Sequence, residues 1–274
     1  MQNVLAWVQS ILSGEEYPIT VRHLFYRLVG HDIIAKTESA YGLLAKHLAK
    51  WRRSGEVDYD AFADSTRWHI KPPTFDSMDD ALVNCAETYR RDIWATQKIY
   101  LELWVEKDAV ASILARAAEP FGVPVFVARG FASITSLHNA ANTFRAYAEA
   151  GKRCIIYQFG DHDPSGVAAG ESIKKAFADE FSVKVDFVRA AVTTEQIERL
   201  NLPTRPTKES NHARMKSWKG GESVELDAMP SAEISALVEA CITQHIDQRE
   251  WDVLKETESL ERTTLKLFKE GLRR

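Results

Sequence analysis

Cysteine is scarce in this chain. Cys85, Cys154 and Cys241 stand far apart and form no CxxC pair. Their odd number and scatter argue against a disulfide framework or a cysteine-based zinc site, and they fit a reducing cytoplasm. No stretch approaches the ~20 uninterrupted apolar residues of a membrane span. The opening segment, MQNVLAWVQSILSGEEYP, lacks a basic lead-in and carries Glu15 and Glu16 where a signal-peptide cleavage site needs small residues. Glycine and proline number only 13 and 9 in 274 residues, which sets aside collagen-like and low-complexity chains. A basic excess is missing too: the formal net charge is −4, so bulk electrostatics would not coat nucleic acid. No internal repeat and no Walker A sequence is found. The expectation is a cytoplasmic globular protein without a membrane segment, forming one large domain or two modest ones.

The charge that is present is unevenly placed. Between Thr20 and Gly55 seven Lys and Arg residues stand against two acidic ones, Asp32 and Glu38. The same stretch reads as helical. Residues 3–13 have an amphipathic pattern ending at Gly14. Thr20 is placed to cap VRHLFYRLV, with Leu24, Leu28 and Val29 as its buried stripe. A third helix, SAYGLLAKHLAKWRRSG, puts Leu43, Leu44 and Leu48 inward and Lys46, Lys50 and Arg53 outward. VDYDAFADSTRW, residues 57–68, alternates as a short hairpin would. Three short helices followed by a small β unit predict a winged helix-turn-helix over 1–71, with Lys46, Lys50 and Arg53 contacting DNA. A plain three-helix packing module is the competing reading.

Residues 72–97 open on Pro72-Pro73 and then turn helical, as a helical linker would. From residue 98 the texture changes. IYLELWV, VPVFVARG, RCIIYQF and VKVDFVRAAV read as strands alternating with helices, which predicts an α/β unit with a parallel sheet over 98–274. Ligands of such sheets bind at the carboxyl ends of the strands. Glu106 follows the first strand, and Gly160-Asp161-His162-Asp163-Pro164-Ser165-Gly166 follows the third. A lone DxD is often a surface loop. Three carboxylates converging from strand ends are costly unless a hard cation neutralises them, and Mg²⁺ suits oxygen donors and phosphate. Further on, 203–221 is a basic loop holding Arg205 and Trp218, either a DNA clamp or a plain surface loop. Glu225 and Asp227 are additional candidates for the metal site.

LWVEKDAVASIL, VFVARGFASITS and YQFGDHDPSG, taken in order, resemble the Toprim domain over roughly Lys98 to Ala190. The form VEKDA plus DxDPxG is most similar to the topoisomerase VI A subunit and the related meiotic double-strand-break transesterases. That resemblance implies a Toprim-type Rossmann-like sheet behind a winged helix, with Glu106, Asp161 and Asp163 binding Mg²⁺, for which Mn²⁺ can substitute. Gly130 matches a position where backbone approaches DNA or metal. Arg22-His23-Leu24-Phe25-Tyr26 resembles the family block carrying the catalytic tyrosine. It implies Tyr26 as nucleophile with Arg22 as its electrostatic helper. The family's frequent preceding Tyr is Phe25 here, which leaves Tyr26 the only hydroxyl. Lys107 is a candidate phosphate contact by its adjacency to Glu106.

The function so implied is cleavage of double-stranded DNA through a 5′-phosphotyrosyl linkage. The family places Tyr and Toprim in opposite protomers of a homodimer and works with a separate ATPase subunit. Two alternatives stay open: a metal-dependent Toprim nuclease that uses water, and a non-catalytic winged-helix DNA-binding protein.

Overall fold

In the computed structural model the described residues are 2–16, 18–63, 72–129, 132–207, 218 and 221–272. Three helices open the chain: α1 (Gln2–Ser13), α2 (Val21–Gly30) and α3 (Glu38–Arg53). The Thr20 hydroxyl accepts the His23 N–H at 3.1 Å, and Thr37 accepts Ala40 N–H at 3.1 Å, so a β-region threonine starts each of the last two. Val8 and Ile11 of α1, Leu24 and Leu28 of α2, and Leu44, Leu48 and Trp51 of α3 close one hydrophobic core. Leu43 was expected inward and is 51% exposed. The buried stripe of α3 runs 44, 48, 51, and a neighbour one position off lies about 100° round the helix. The hairpin expected over 57–68 is absent from its described part, 57–63. There Phe62 makes a single parallel bridge to Ile19; residues 64–68 lie outside the described residues.

Helix α4 (Met78–Thr88) occupies the expected linker. It is docked rather than free, because the stretch that ends it is bound to residues 258–262: Tyr89 donates to Glu261 at 2.7 Å, Arg91 N–H to Glu258 at 2.9 Å, and Arg262 to the Tyr89 carbonyl at 3.0 Å.

Four parallel strands follow, β1 (Ile99–Val105), β2 (Val125–Val127), β3 (Arg153–Phe159) and β4 (Asp186–Ala191), in the order β2-β1-β3-β4. The register sets Ile99 beside Arg153 and Val105 beside Phe159. Helices α5 (Asp108–Ala118), α6 (Ile134–Glu149) and α7 (Pro164–Lys175) make the crossovers. After them come α8 (Thr194–Leu200), α9 (Ser231–Thr243) and α10 (Gln248–Leu272). Strand side chains alternate between faces. Leu101, Leu103, Ile155 and Phe159 pack with Val110 and Leu114 of α5 and Ile234 and Val238 of α9. Trp104, Cys154 and Ile156 meet Leu137 and Phe144 of α6 and Ile173 of α7 on the other side. The expected α/β class with a parallel sheet is what the chain adopts. Among the described residues, no helix is long and apolar enough to cross a membrane.

Candidate active site

The order β2-β1-β3-β4 reverses direction between β1 and β3, and a crevice opens at the carboxyl ends of strands that flank such a reversal. Glu106 leaves the end of β1 there, its N–H bonded to the Phe159 carbonyl at 2.9 Å. Its Oε2 accepts the Asp161 N–H at 3.1 Å. The approach is close because the neighbours are glycines. A Cβ on Gly160 would lie 2.8 Å from Glu106 Oε2, and one on Gly166 would lie 2.9 Å from it. Asp163 caps α7, accepting Ser165 N–H at 2.9 Å and Gly166 N–H at 2.7 Å. Arg189, from β4, holds this loop by donating to the carbonyls of Gly160 and Asp161. The structure therefore brings Glu106 and Asp161 into contact through backbone, with Asp163 committed to a helix cap.

A second segment completes the cluster. Val224 bridges to His162 and Ser223 to Arg205, both antiparallel. The Leu226 N–H donates to Asp161 Oδ1 at 2.9 Å. These bonds bring Glu225 and Asp227, both buried, against the DxD loop. Helix α2 packs over the same segment. The Tyr26 hydroxyl donates to Glu225 Oε2 at 2.6 Å. Lys107 bridges Glu225 and Asp161, with Nζ at 2.8 Å from the former and 2.7 Å from the latter. Arg22 lies 3.3 Å from Asp227 and 3.7 Å from Glu225, and Arg205 pairs with Glu225 at 2.7 Å and faces Asp163 at 3.7 Å. Tyr26 is thus joined to Asp161 through Glu225 and Lys107 of the same chain.

Burial and close charge shift Tyr26, Glu225, Glu106, Asp227 and Lys107. Burial, then the hydrogen bond and charge of Glu225, hold the Tyr26 phenol well above its ordinary value, although Arg22 and Lys107 pull the other way. Burial would also raise Glu225, but Lys107, the Tyr26 hydroxyl and Arg205 outweigh it and bring the carboxyl to about 2. Burial and the Asp161 charge push Glu106 up to about 7. Asp227 rises to about 6, mainly through burial. Burial works against the Lys107 charge, yet Asp161, Asp227 and Glu225 keep the ammonium above its usual range.

The donor chemistry fits a hard divalent cation. Glu106, Asp161, Asp163, Glu225 and Asp227 are oxygen donors in excess of the cations paired with them, and neither Asp227 oxygen receives a hydrogen bond. In the conformation seen, Lys107 lies against Asp161 and Asp163 caps α7. No group of three or more His, Cys, Asp or Glu side chains among the described residues is arranged to hold a metal ion.

Of the other residues singled out in the sequence, Lys46, Lys50 and Arg53 are exposed on α3, about one helical turn apart. Gly130 lies outside the described residues, as do 208–217 and 219–220 of the basic loop. Three participants were not anticipated as such. Lys36, in the α2–α3 connection, stands 5.0 Å from the centre of the Tyr26 ring. Arg189 braces the DxD loop, and Glu225 is the partner of Tyr26 rather than only a spare carboxylate. The one sequence signal for Glu225 was its acidity after a basic loop. No protein-family model, no curated protein and no solved structure matches this chain.

Proposed function

We propose that the protein cleaves DNA by transesterification, with Tyr26 as nucleophile, in the manner of topoisomerase VI A-type enzymes. On this reading residues 1–71 are a winged-helix unit and 98–274 a Toprim unit with a helical extension. The observation that carries it is the Tyr26 hydroxyl seated on Glu225 at 2.6 Å, within a cluster of carboxylates and cations at the strand ends. A phenol attacks only as its proton leaves, and Glu225 is the acceptor already in contact. The phenol oxygen bonds to phosphorus, the bond to the sugar 3′-oxygen breaks, and that oxygen takes a proton from solvent. The products are a 5′-phosphotyrosyl chain and a free 3′-hydroxyl. Lys107 and Arg22 offset charge on the phosphate.

Glu106, Asp161 and Asp163 would hold Mg²⁺ or Mn²⁺, which when bound supplies stabilisation of charge at the reacting phosphate. Lys107 must leave Asp161 for the carboxylates to be shared. The geometry favours one complete centre per chain, so a homodimer would cut two strands with two separate sites. Strand passage would fall to a separate ATPase subunit.

A water-dependent nuclease is the second reading, and the raised pKa of Tyr26 favours it. One experiment separates them. Supercoiled plasmid is incubated with the protein and Mg²⁺ or Mn²⁺, quenched with denaturant, and assayed for DNA covalently attached to protein. Transesterification predicts such adducts and their complete loss in Tyr26→Phe, which removes one oxygen and keeps the ring. Cleavage without adduct, retained in Tyr26→Phe, would establish the nuclease.

A further inference from the structure

A pocket of about 600 Å³ opens beside Tyr26, which is one of its lining residues. Arg22, Phe25, Lys36, Tyr41 and Arg205 line it, with Glu38 and Glu225 as its two acidic members. Glu225 is already neutralised by Lys107 and Arg205. Lys36 is not neutralised. Its Nζ is buried and makes no hydrogen bond, and burial lowers its pKa. A buried ammonium that makes no hydrogen bond, with only the Tyr26 ring 5.0 Å away to offset its charge, is costly, and an arriving anion offsets that cost. Arg22, which is 53% exposed, and Arg205 line the same space, each within 4 Å of the Glu225 carboxylate. The aromatic part of the wall is ordered: Phe25 meets Tyr41 edge-on at 5.4 Å between ring centres and Tyr26 edge-on at 5.3 Å.

We propose that this pocket binds one unpaired nucleotide next to the scissile bond, its phosphate between Lys36, Arg22 and Arg205 and its base against Tyr41 and Phe25. The volume accommodates a nucleotide, within the roughly 300–1,000 Å³ typical of small-ligand sites. Base-on-aromatic contact is tolerant of sequence, and the cations track the backbone. Glu38, an acidic member of the lining, disfavours a second phosphate in the pocket, which selects one nucleotide over a run of them. The proposal rests on the reading of Tyr26 as the cleaving residue only in naming which phosphate is bound. It adds Lys36 and Tyr41 to the substrate-binding residues.

The test uses the full chain carrying Tyr26→Phe, in chelator, so that no cutting intervenes. A fluorescein-labelled single-stranded hexanucleotide of mixed sequence is titrated by anisotropy over a salt series, beside a blunt duplex of the same sequence. Adding Lys36→Met should weaken hexanucleotide binding at least tenfold and lower the salt slope by about 0.7, one single-strand phosphate. Lys36→Arg should stay within threefold, Tyr41→Leu should weaken binding without changing the slope, and duplex affinity should fall less than hexanucleotide affinity. Binding by Lys36→Met within twofold of its parent, at the same slope, overturns the proposal. Should Lys36→Met fail to fold, Tyr41→Leu decides. Hexanucleotide binding weakened at an unchanged salt slope supports the pocket, and binding within twofold of the parent overturns it. The two readings fail separately: loss of affinity in Lys36→Met stands even if plasmid is never cut, while adduct formation with unaltered affinity removes the pocket and leaves the transesterase.

Discussion

His23 lies fully buried on α2, and neither ring nitrogen has a hydrogen-bond partner. Burial, with Arg27 adding to it, lowers its pKa from 6.5 to about 4. The unfolded chain therefore takes up a proton near pH 6.5 that the folded chain refuses. Stability is complete above that pH and drains as pH falls towards 4, by about 3 kcal/mol at 1.36 kcal/mol per pKa unit. His23→Leu should remove this loss; melting curves of the two proteins between pH 7 and 4.5 should diverge, and parallel curves would refute the assignment. Glycines give a pair of opposite expectations. A Cβ on Gly166 would meet the Asp161 carbonyl at 2.5 Å, and backbone cannot swing aside. Gly166→Ala should cost about 1–3 kcal/mol, the range for overpacking. Gly42, inside α3 with nothing within 4 Å of its would-be Cβ, should instead gain about 0.5–1 kcal/mol as Ala. Urea denaturation of both variants reads the sign directly.

Helix α3 presents Lys46, Lys50 and Arg53 to solvent while Leu44, Leu48 and Trp51 hold it to the core. If that face meets DNA backbone, neutralising all three residues should lower the slope of log K against log salt by about 2.7, or 0.9 per phosphate. An unchanged slope in duplex binding would reduce the face to a solvated surface. The helix also shows what sequence reading reaches. Its basic face and two of its three expected inward leucines follow from local chemistry, and only Leu43 faces out. The strands were equally legible, because IYLELWV and RCIIYQF are apolar runs of the kind that a doubly covered parallel sheet requires. Glu106, Asp161 and Asp163 were legible as strand-end residues, since that position is set by the strand beside it. Lys36 was not, and Arg205 was legible only as a member of a basic loop. Where they point depends on how the α2–α3 connection and residues 203–205 pack on distant segments. Residues 57–63 misled for the same reason: their alternation is real, but Ile19 pairs with them where a hairpin partner was expected.

The two hydrophobic units, residues 8–57 and the sheet with its helices, meet across the candidate site itself. Glu15 secures that junction by accepting from Arg27 at 2.8 Å and from the Ser231 hydroxyl. Because Tyr26 contacts Glu225 of its own chain, complementation should fail. Tyr26→Phe and Asp161→Asn chains, co-expressed under two tags and purified as a pair, should form no more covalent DNA adduct than either alone. Restored adduct would assign Tyr26 to a partner's carboxylates. The Tyr26–Glu225 bond spans 199 positions of sequence. At roughly 5–20 residues per second, a ribosome takes on the order of 10–40 s to travel from one to the other. If Tyr26 is the nucleophile, the emerging chain carries it for that interval, with the basic face of α3, without the carboxylate that receives its proton. On the proposed reading, a half-made molecule can hold DNA but not break it, and a product terminated before Glu225 would compete for DNA with the finished enzyme.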